Sequence, residues 1–134
     1  MLVFARELIH RLIAHAQREA PKEACGILAG VSTKDKFVEQ VYECKNIAFS
    51  NARYEISPEE LLRVITEIEE SGLEVLGFYH SHPMALSEPS AVDEATATWP
   101  GHSYVVVSLP SKIPVTSWIW DEKEGFIEEK VEIR

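Results

Sequence analysis

Two imidazoles one residue apart, a proline directly after them and an aspartate further on are the residues of this chain best suited to chemistry. They are His80, His82, Pro83 and Asp93. Alternate side chains of a strand share a face, so His80 and His82 point the same way and can converge on one cation. Pro83 has no N–H to give to a ladder and releases the chain into a Pro/Ser-rich loop. That loop can bring Asp93 back to the same point. Two imidazoles and one carboxylate form a three-ligand zinc set, with water in the fourth tetrahedral position. This is the catalytic rather than the structural pattern of zinc binding, and no fourth protein ligand is evident.

A purely architectural reading exists beside it. Ser90-Ala91-Val92-Asp93 fits a capping box that opens a helix. The two readings are compatible, because Ser90 and Asp93 can cap a helix while facing the cation. An H-x-H pair is a weak signal alone; the proline break, the serine and the aspartate strengthen it.

His80-Ser81-His82-Pro83, followed by Ser90 and Asp93, resembles the signature of the JAMM (MPN+) metalloproteases, H-S/T-H-P and then S-x-x-D. That family also carries an upstream segment like P-x-E-x-C-G-[ILF]-L-x-G. Here it reads Pro21-Lys22-Glu23-Ala24-Cys25-Gly26-Ile27-Leu28-Ala29-Gly30. The two blocks lie far apart, and the resemblance covers nearly the whole chain. It implies an α/β fold with a single mixed, largely antiparallel curved sheet flanked by helices, of the cytidine-deaminase-like kind. It implies one catalytic zinc on His80, His82 and Asp93, with Glu23 as general base and Ser90 as the donor to the oxyanion.

The implied activity is isopeptidase chemistry. The bond cut joins the C-terminus of a ubiquitin-like or sulfur-carrier protein to a lysine or other amine. The substrate tail would lie extended and add a strand to an exposed sheet edge beside the zinc. Residues 51–56 would wall the groove, with Met84, Ala85, Leu86 and Trp99 alongside. The alternative is the same chemistry on a small-molecule or cysteine adduct of a sulfur carrier. A non-catalytic MPN scaffold would usually lack the ligands, whereas all five site residues are present. A zinc nucleobase deaminase is excluded, since its H-x-E and P-C-x-x-C elements are missing.

With 134 residues the chain is sized for one domain, 1–134, with a real core. The net charge of −9 argues against nucleic acid and against an anionic membrane surface. No segment is long and apolar enough to cross a bilayer, and the first ten residues lack the pattern of a signal peptide. A cytoplasmic setting is the default expectation. Cys25 and Cys44 are too few for a disulfide framework and read as small buried hydrophobes. Monomer and homodimer are equally compatible with the sequence.

The elements that must position the site follow from periodicity. Leu8, Ile9, Leu12, Ile13 and Ala16 predict a helix over 6–19, with His10 and His15 facing solvent or capping. Residues 24–31 read as a buried strand with Glu23 at its start, and 37–43 as a half-buried one. Residues 46–53 read as irregular and 54–56 as a short strand. Ser57-Pro58-Glu59-Glu60 starts a helix that Gly72 ends, its apolar stripe running Leu61, Leu62, Val64, Ile65 and Ile68. A strand over 73–82 delivers the histidines, and a short helix over 91–98 follows. Residues 104–109, 115–120 and 126–133 predict an antiparallel meander. His102 and the tryptophans Trp118 and Trp120 read as packing residues.

Overall fold

The computed structural model describes residues 1–48 and 50–134; Phe49, within the stretch expected to be irregular, lies outside the described residues. Eight strands build one sheet: β1 (Leu2–Phe4), β2 (Cys25–Ser32), β3 (Lys36–Cys44), β4 (Glu74–His82), β5 (Ser103–Ser108), β6 (Val115–Asp121), β7 (Gly125–Glu129) and β8 (Val131–Ile133). Their order is β7-β6-β5-β4-β2-β3-β1-β8. The β2–β3, β2–β4, β5–β6 and β6–β7 joins are antiparallel; β1–β3, β1–β8 and β4–β5 are parallel. The expected mixed α/β sheet is what forms.

Strand alternation sorts the core onto two faces. Leu28, Tyr79, Val105 and Val107 pack with α1 (Arg6–Glu19), through Ile9, Leu12 and Ala16. Ile27, Phe78 and Tyr104 pack with α2 (Pro58–Glu70), through Val64 and Ile68. Ser57 caps α2, accepting from Glu60 N at 3.2 Å with Pro58 behind it. Gly26 is fixed by close approach: a Cβ there would sit 2.3 Å from both the Tyr79 ring and the Tyr42 carbonyl oxygen.

Four expectations are corrected. The segment over 126–133 is not one strand of a meander but two, β7 and β8, which lie at opposite edges although only Lys130 separates them. Leu2 N donates to Lys130 O at 2.9 Å, so the sheet curls until its two edges share this hinge residue. Residues 54–56 form no strand, because Glu55 N is taken by the side chain of Asn46 instead of by a ladder. His15 is buried, 3% exposed, and its Nδ1 sits 2.8 Å from the Tyr79 hydroxyl. Leu62 leaves the α2 stripe and is 68% exposed. The structure also adds β1, which closes the sheet by pairing in parallel with both β3 and β8.

Candidate active site

The site begins at the C-terminal end of β4. This strand lies inside the sheet, with His80 opposite Cys25 of β2 on one side and Val106 of β5 on the other. Phe78, His80 and His82 share the α2 face, as a period of two requires. Neighbouring ladders leave the histidine main chain little freedom, so ring orientation is set by local partners. His82 Nδ1 lies 2.8 Å from Leu86 O, so this nitrogen carries its proton and Nε2 is left as the donor atom. His80 stacks on Tyr54, centroids 4.8 Å apart and planes 18° apart. Its Nδ1 is buried without a hydrogen-bond partner among the described residues.

Asp93 arrives on α3 (Ala91–Thr96), and its placement is a capping problem solved locally. Ser90 Oγ accepts from Asp93 N at 3.1 Å, and Asp93 Oδ2 accepts from Ser90 N at 2.8 Å. This reciprocal box aims the carboxylate back across the loop. Its Oδ2 then lies 3.0 Å from His80 Nε2 and 3.0 Å from His82 Nε2, while the two nitrogens are 3.1 Å apart. Burial opposes ionisation of Asp93, but both imidazoles and the Ser90 N–H outweigh it and hold the carboxyl well below its usual range. Burial lowers the His80 pKa against the pull of Asp93. In His82 burial is overcome by its bonds to Asp93 and Leu86 O, and the pKa rises.

This triangle is the group of described residues that could hold a metal ion. Ligands 2.0–2.1 Å from a tetrahedral zinc stand about 3.3 Å from one another. The observed edges fall within a few tenths of an ångström of that, and two neutral nitrogens with one carboxylate suit a borderline cation. The residues fit.

Glu23 stands just before β2 and is 3% exposed. Its Oε1 is buried with no hydrogen-bond partner among the described residues. Burial first, and the charge of Asp93 second, push its pKa up to about 7 against the opposing effect of His82. Two contacts to β4 and one to Asn46 hold this stretch of main chain in place. Ala24 N donates to Ser81 Oγ at 2.7 Å, Ser81 N donates to Ala24 O at 3.0 Å, and Asn46 Nδ2 donates to Glu23 O at 3.0 Å.

The structure thus brings His80, His82, Asp93, Ser90 and Glu23 into one neighbourhood. It separates the residues expected to line the groove. Trp99 lines a cavity of about 260 Å³ with Arg53, Tyr54, Ile56, Phe78 and Tyr104, among others. Met84, Ala85 and Leu86 are not part of that lining; they are exposed on the loop held by Ser108 Oγ at Ala85 O and by Leu86 O at His82. The sheet edge expected to receive a tail is elsewhere too, since the edges are β7 and β8 while β4 is flanked on both sides. Tyr54 lies in the 51–56 segment expected to wall the groove, and it lines the cavity with Trp99; Asn46, in the stretch expected to be irregular, was not among the expected site residues.

Fold and site define an α/β protein with a two-histidine, one-carboxylate centre that can take a metal. The chain belongs to the prokaryotic homologs of the JAB domain, whose family model matches residues 5–121. It is 35% identical over 126 residues to the Desampylase of Haloferax volcanii, covering 90% of each chain. It is likewise 35% identical over 108 residues to the CysO-cysteine peptidase of Mycobacterium tuberculosis, covering 81% of this chain and 73% of the relative. The solution structure of a Desulfitobacterium hafniense protein matches with a TM-score of 0.90 at 31% identity, covering 100% of this chain and 93% of that one. No helix among the described residues is long and apolar enough to cross a membrane.

Proposed function

We propose that the protein is a zinc-dependent isopeptidase that hydrolyses the bond between the C-terminus of a ubiquitin-like or sulfur-carrier protein and an amine. The observation that carries this reading is a buried Glu23 carboxyl, its Oε1 without a hydrogen-bond partner among the described residues, beside the His80, His82 and Asp93 triangle. His80, His82 and Asp93 would hold the ion, which when bound supplies Lewis acidity and an acidified water. The relatives named Desampylase and CysO-cysteine peptidase support the substrate class.

The roles of the chain's own residues follow from their surroundings. A carboxyl with a pKa of about 7 is partly ionised at neutral pH, so Glu23 Oε1 can accept a proton from the attacking water. The same atom, once protonated, can deliver that proton to the departing amine. A Glu23 already committed to a salt bridge would do neither. Ser90 Oγ accepts from Asp93 N, so its own hydroxyl proton is free to donate to the developing oxyanion. One such donor is worth about 3 kcal/mol in the transition state.

The M. tuberculosis relative supports a second reading, in which the leaving group is a single cysteine rather than a protein lysine. Both readings use the same groups. Metal analysis with cleavage of both adduct types by wild type and Glu23→Gln tests them. Cleavage by the wild type that the substitution abolishes at full zinc occupancy supports Glu23 as the base; full activity in Glu23→Gln removes it.

A further inference from the structure

The structure assigns a positioning role to Asn46, a residue with no place in the metal set and no contact with the reacting atoms. Asn46 is 7% exposed, and its amide makes four hydrogen bonds, all to main chain. Nδ2 donates to Glu23 O at 3.0 Å and to Arg53 O at 3.2 Å. Oδ1 accepts from Ala48 N at 2.9 Å and from Glu55 N at 3.1 Å. The Ile47 N to Glu55 O bond at 2.9 Å closes the same loop. Three of the four bonds of this buried side chain therefore tie the segments of Glu23 and of residues 53–55 together, and the fourth closes a local turn at Ala48.

Those two segments are the ones the site depends on. One carries Glu23, whose Oε1 has no hydrogen-bond partner among the described residues, so that its main-chain ties do much to place it. The other carries Tyr54, whose ring lies against His80, the imidazole whose outer nitrogen lacks the carbonyl acceptor that His82 has. It also forms the rim of the 260 Å³ cavity at Arg53, Tyr54 and Ile56. Neither segment belongs to the sheet ladder. Without Asn46, Glu23 keeps its link to β4 through Ala24 and Ser81, but the loop over 53–55 loses its ties at Arg53 O and Glu55 N and keeps only the Ile47 N to Glu55 O bond to this segment. Asn46 therefore makes the base and the cavity wall move as one body. It acts through Glu23 and Tyr54, and the role rests on the reading of Glu23 as the base.

The test uses the zinc-loaded full chain as wild type, Asn46→Ala, Asn46→Asp, Glu23→Gln and the Glu23→Gln/Asn46→Ala pair. Asn46→Asp keeps size and acceptor and loses both donors, so it stands in should Asn46→Ala not fold. The probe is a ubiquitin-like sulfur carrier bearing a fluorogenic amide at its C-terminus. We expect kcat at saturating zinc to fall about 10–100-fold in either Asn46 variant, as for residues that orient a metal site's functional groups. Zinc affinity, read by competition with a chromogenic chelator, should fall less than tenfold because the three ligands are untouched. In the Glu23→Gln background the Asn46→Ala change should cost less than threefold, since the group it positions is already gone. Amide exchange should quicken at residues 53–56 and leave β4 protected. Unchanged kcat in a folded Asn46 variant, multiplicative losses in the double variant, or exchange that quickens evenly through the sheet would each overturn the assignment. Full activity in Glu23→Gln alone would overturn the base, and with it any role for Asn46 exerted through that base.

Discussion

Ser81, the residue between the two histidines, is clamped to Ala24, the residue after Glu23, by a pair of opposed bonds. Ala24 N donates to Ser81 Oγ at 2.7 Å and Ser81 N donates to Ala24 O at 3.0 Å. A strand pair would use two carbonyls for this; here one is replaced by a side chain, just where β2 begins. The substitution lets the acid's segment approach β4 without extending the ladder. Ser81→Ala removes the acceptor and leaves Ala24 N buried, which should cost about 1–3 kcal/mol. For a domain of this size that is a loss of several degrees in Tm. Because the clamp is adjacent to Glu23, kcat should fall further than zinc affinity does. Thermal melts with titration of the metal measure both, and an unchanged Tm would show that the clamp contributes nothing.

Glu23 should carry a stability cost whose size depends on pH. Its folded pKa of about 7 stands above the 4.5 of the free acid. A raised carboxyl pKa means that the folded chain binds the proton more tightly than the unfolded one. Below pH 4.5 both states are protonated and the group is neutral towards folding. Between 4.5 and 7 the unfolded state ionises first, and stability falls as pH rises. Above 7 the loss is complete, at most about 3 kcal/mol. Glu23→Gln has no proton to lose. In chelator-treated protein its advantage over wild type should be larger at pH 8 than at pH 5. Urea melts at the two values decide it, and a difference that does not change with pH would contradict the buried, unpaired carboxyl.

The triangle of His80, His82 and Asp93 makes a separate prediction about ligand-linked stability. A cation that binds only the folded chain stabilises it by about 2.7 kcal/mol when present at a hundredfold its Kd. Adding zinc to chelated protein should therefore raise Tm, and Asp93→Asn should abolish the response. The asparagine oxygen can still accept from Ser90 N, so the cap of α3 should survive and the zinc-free Tm should change little. A zinc response that persists in Asp93→Asn would move the ion away from these residues.

How far the site could be read from residues alone depended on whether position came from local pattern. The period of two placed both imidazoles on one face, and the Ser90–Asp93 spacing gave the turn that returns the carboxylate. Both features are local, so they were legible. His15 was legible too, had its position been weighed, since it stands three residues from Leu12 and seven from Leu8, on the buried stripe of α1. Its polarity concealed it, and the Tyr79 hydroxyl that satisfies it lies in a strand sixty-four positions away. Tyr54 stood within the expected groove wall, but its stack on His80 had no such signal, nor had Asn46, because their partners are a ring and main-chain atoms brought together only by the fold. The split of residues 126–133 between two edges follows from the curl of the whole sheet, which no single segment encodes.

The exposed apolar residues beside the centre should separate recognition of a folded substrate from chemistry. Met84 is 88% exposed and Leu86 69% exposed, on a loop whose main chain is already fixed by His82, Ser108 and Thr116. Replacing both side chains with serine leaves those main-chain bonds intact, so Tm and zinc affinity should stay within error. If the loop meets the body of a conjugate, KM for a folded conjugate should rise by about tenfold, the effect of roughly 1.4 kcal/mol of lost contact. A short fluorogenic peptide, which reaches only the centre and the cavity at Trp99, should be cleaved as before. If the substrate tail lies in the cavity that Trp99 lines, Trp99→Ala should impair both substrates alike. Equal loss on both substrates from the Met84 and Leu86 change would place that loop with the catalytic machinery instead, acting through the Leu86 carbonyl that orients His82.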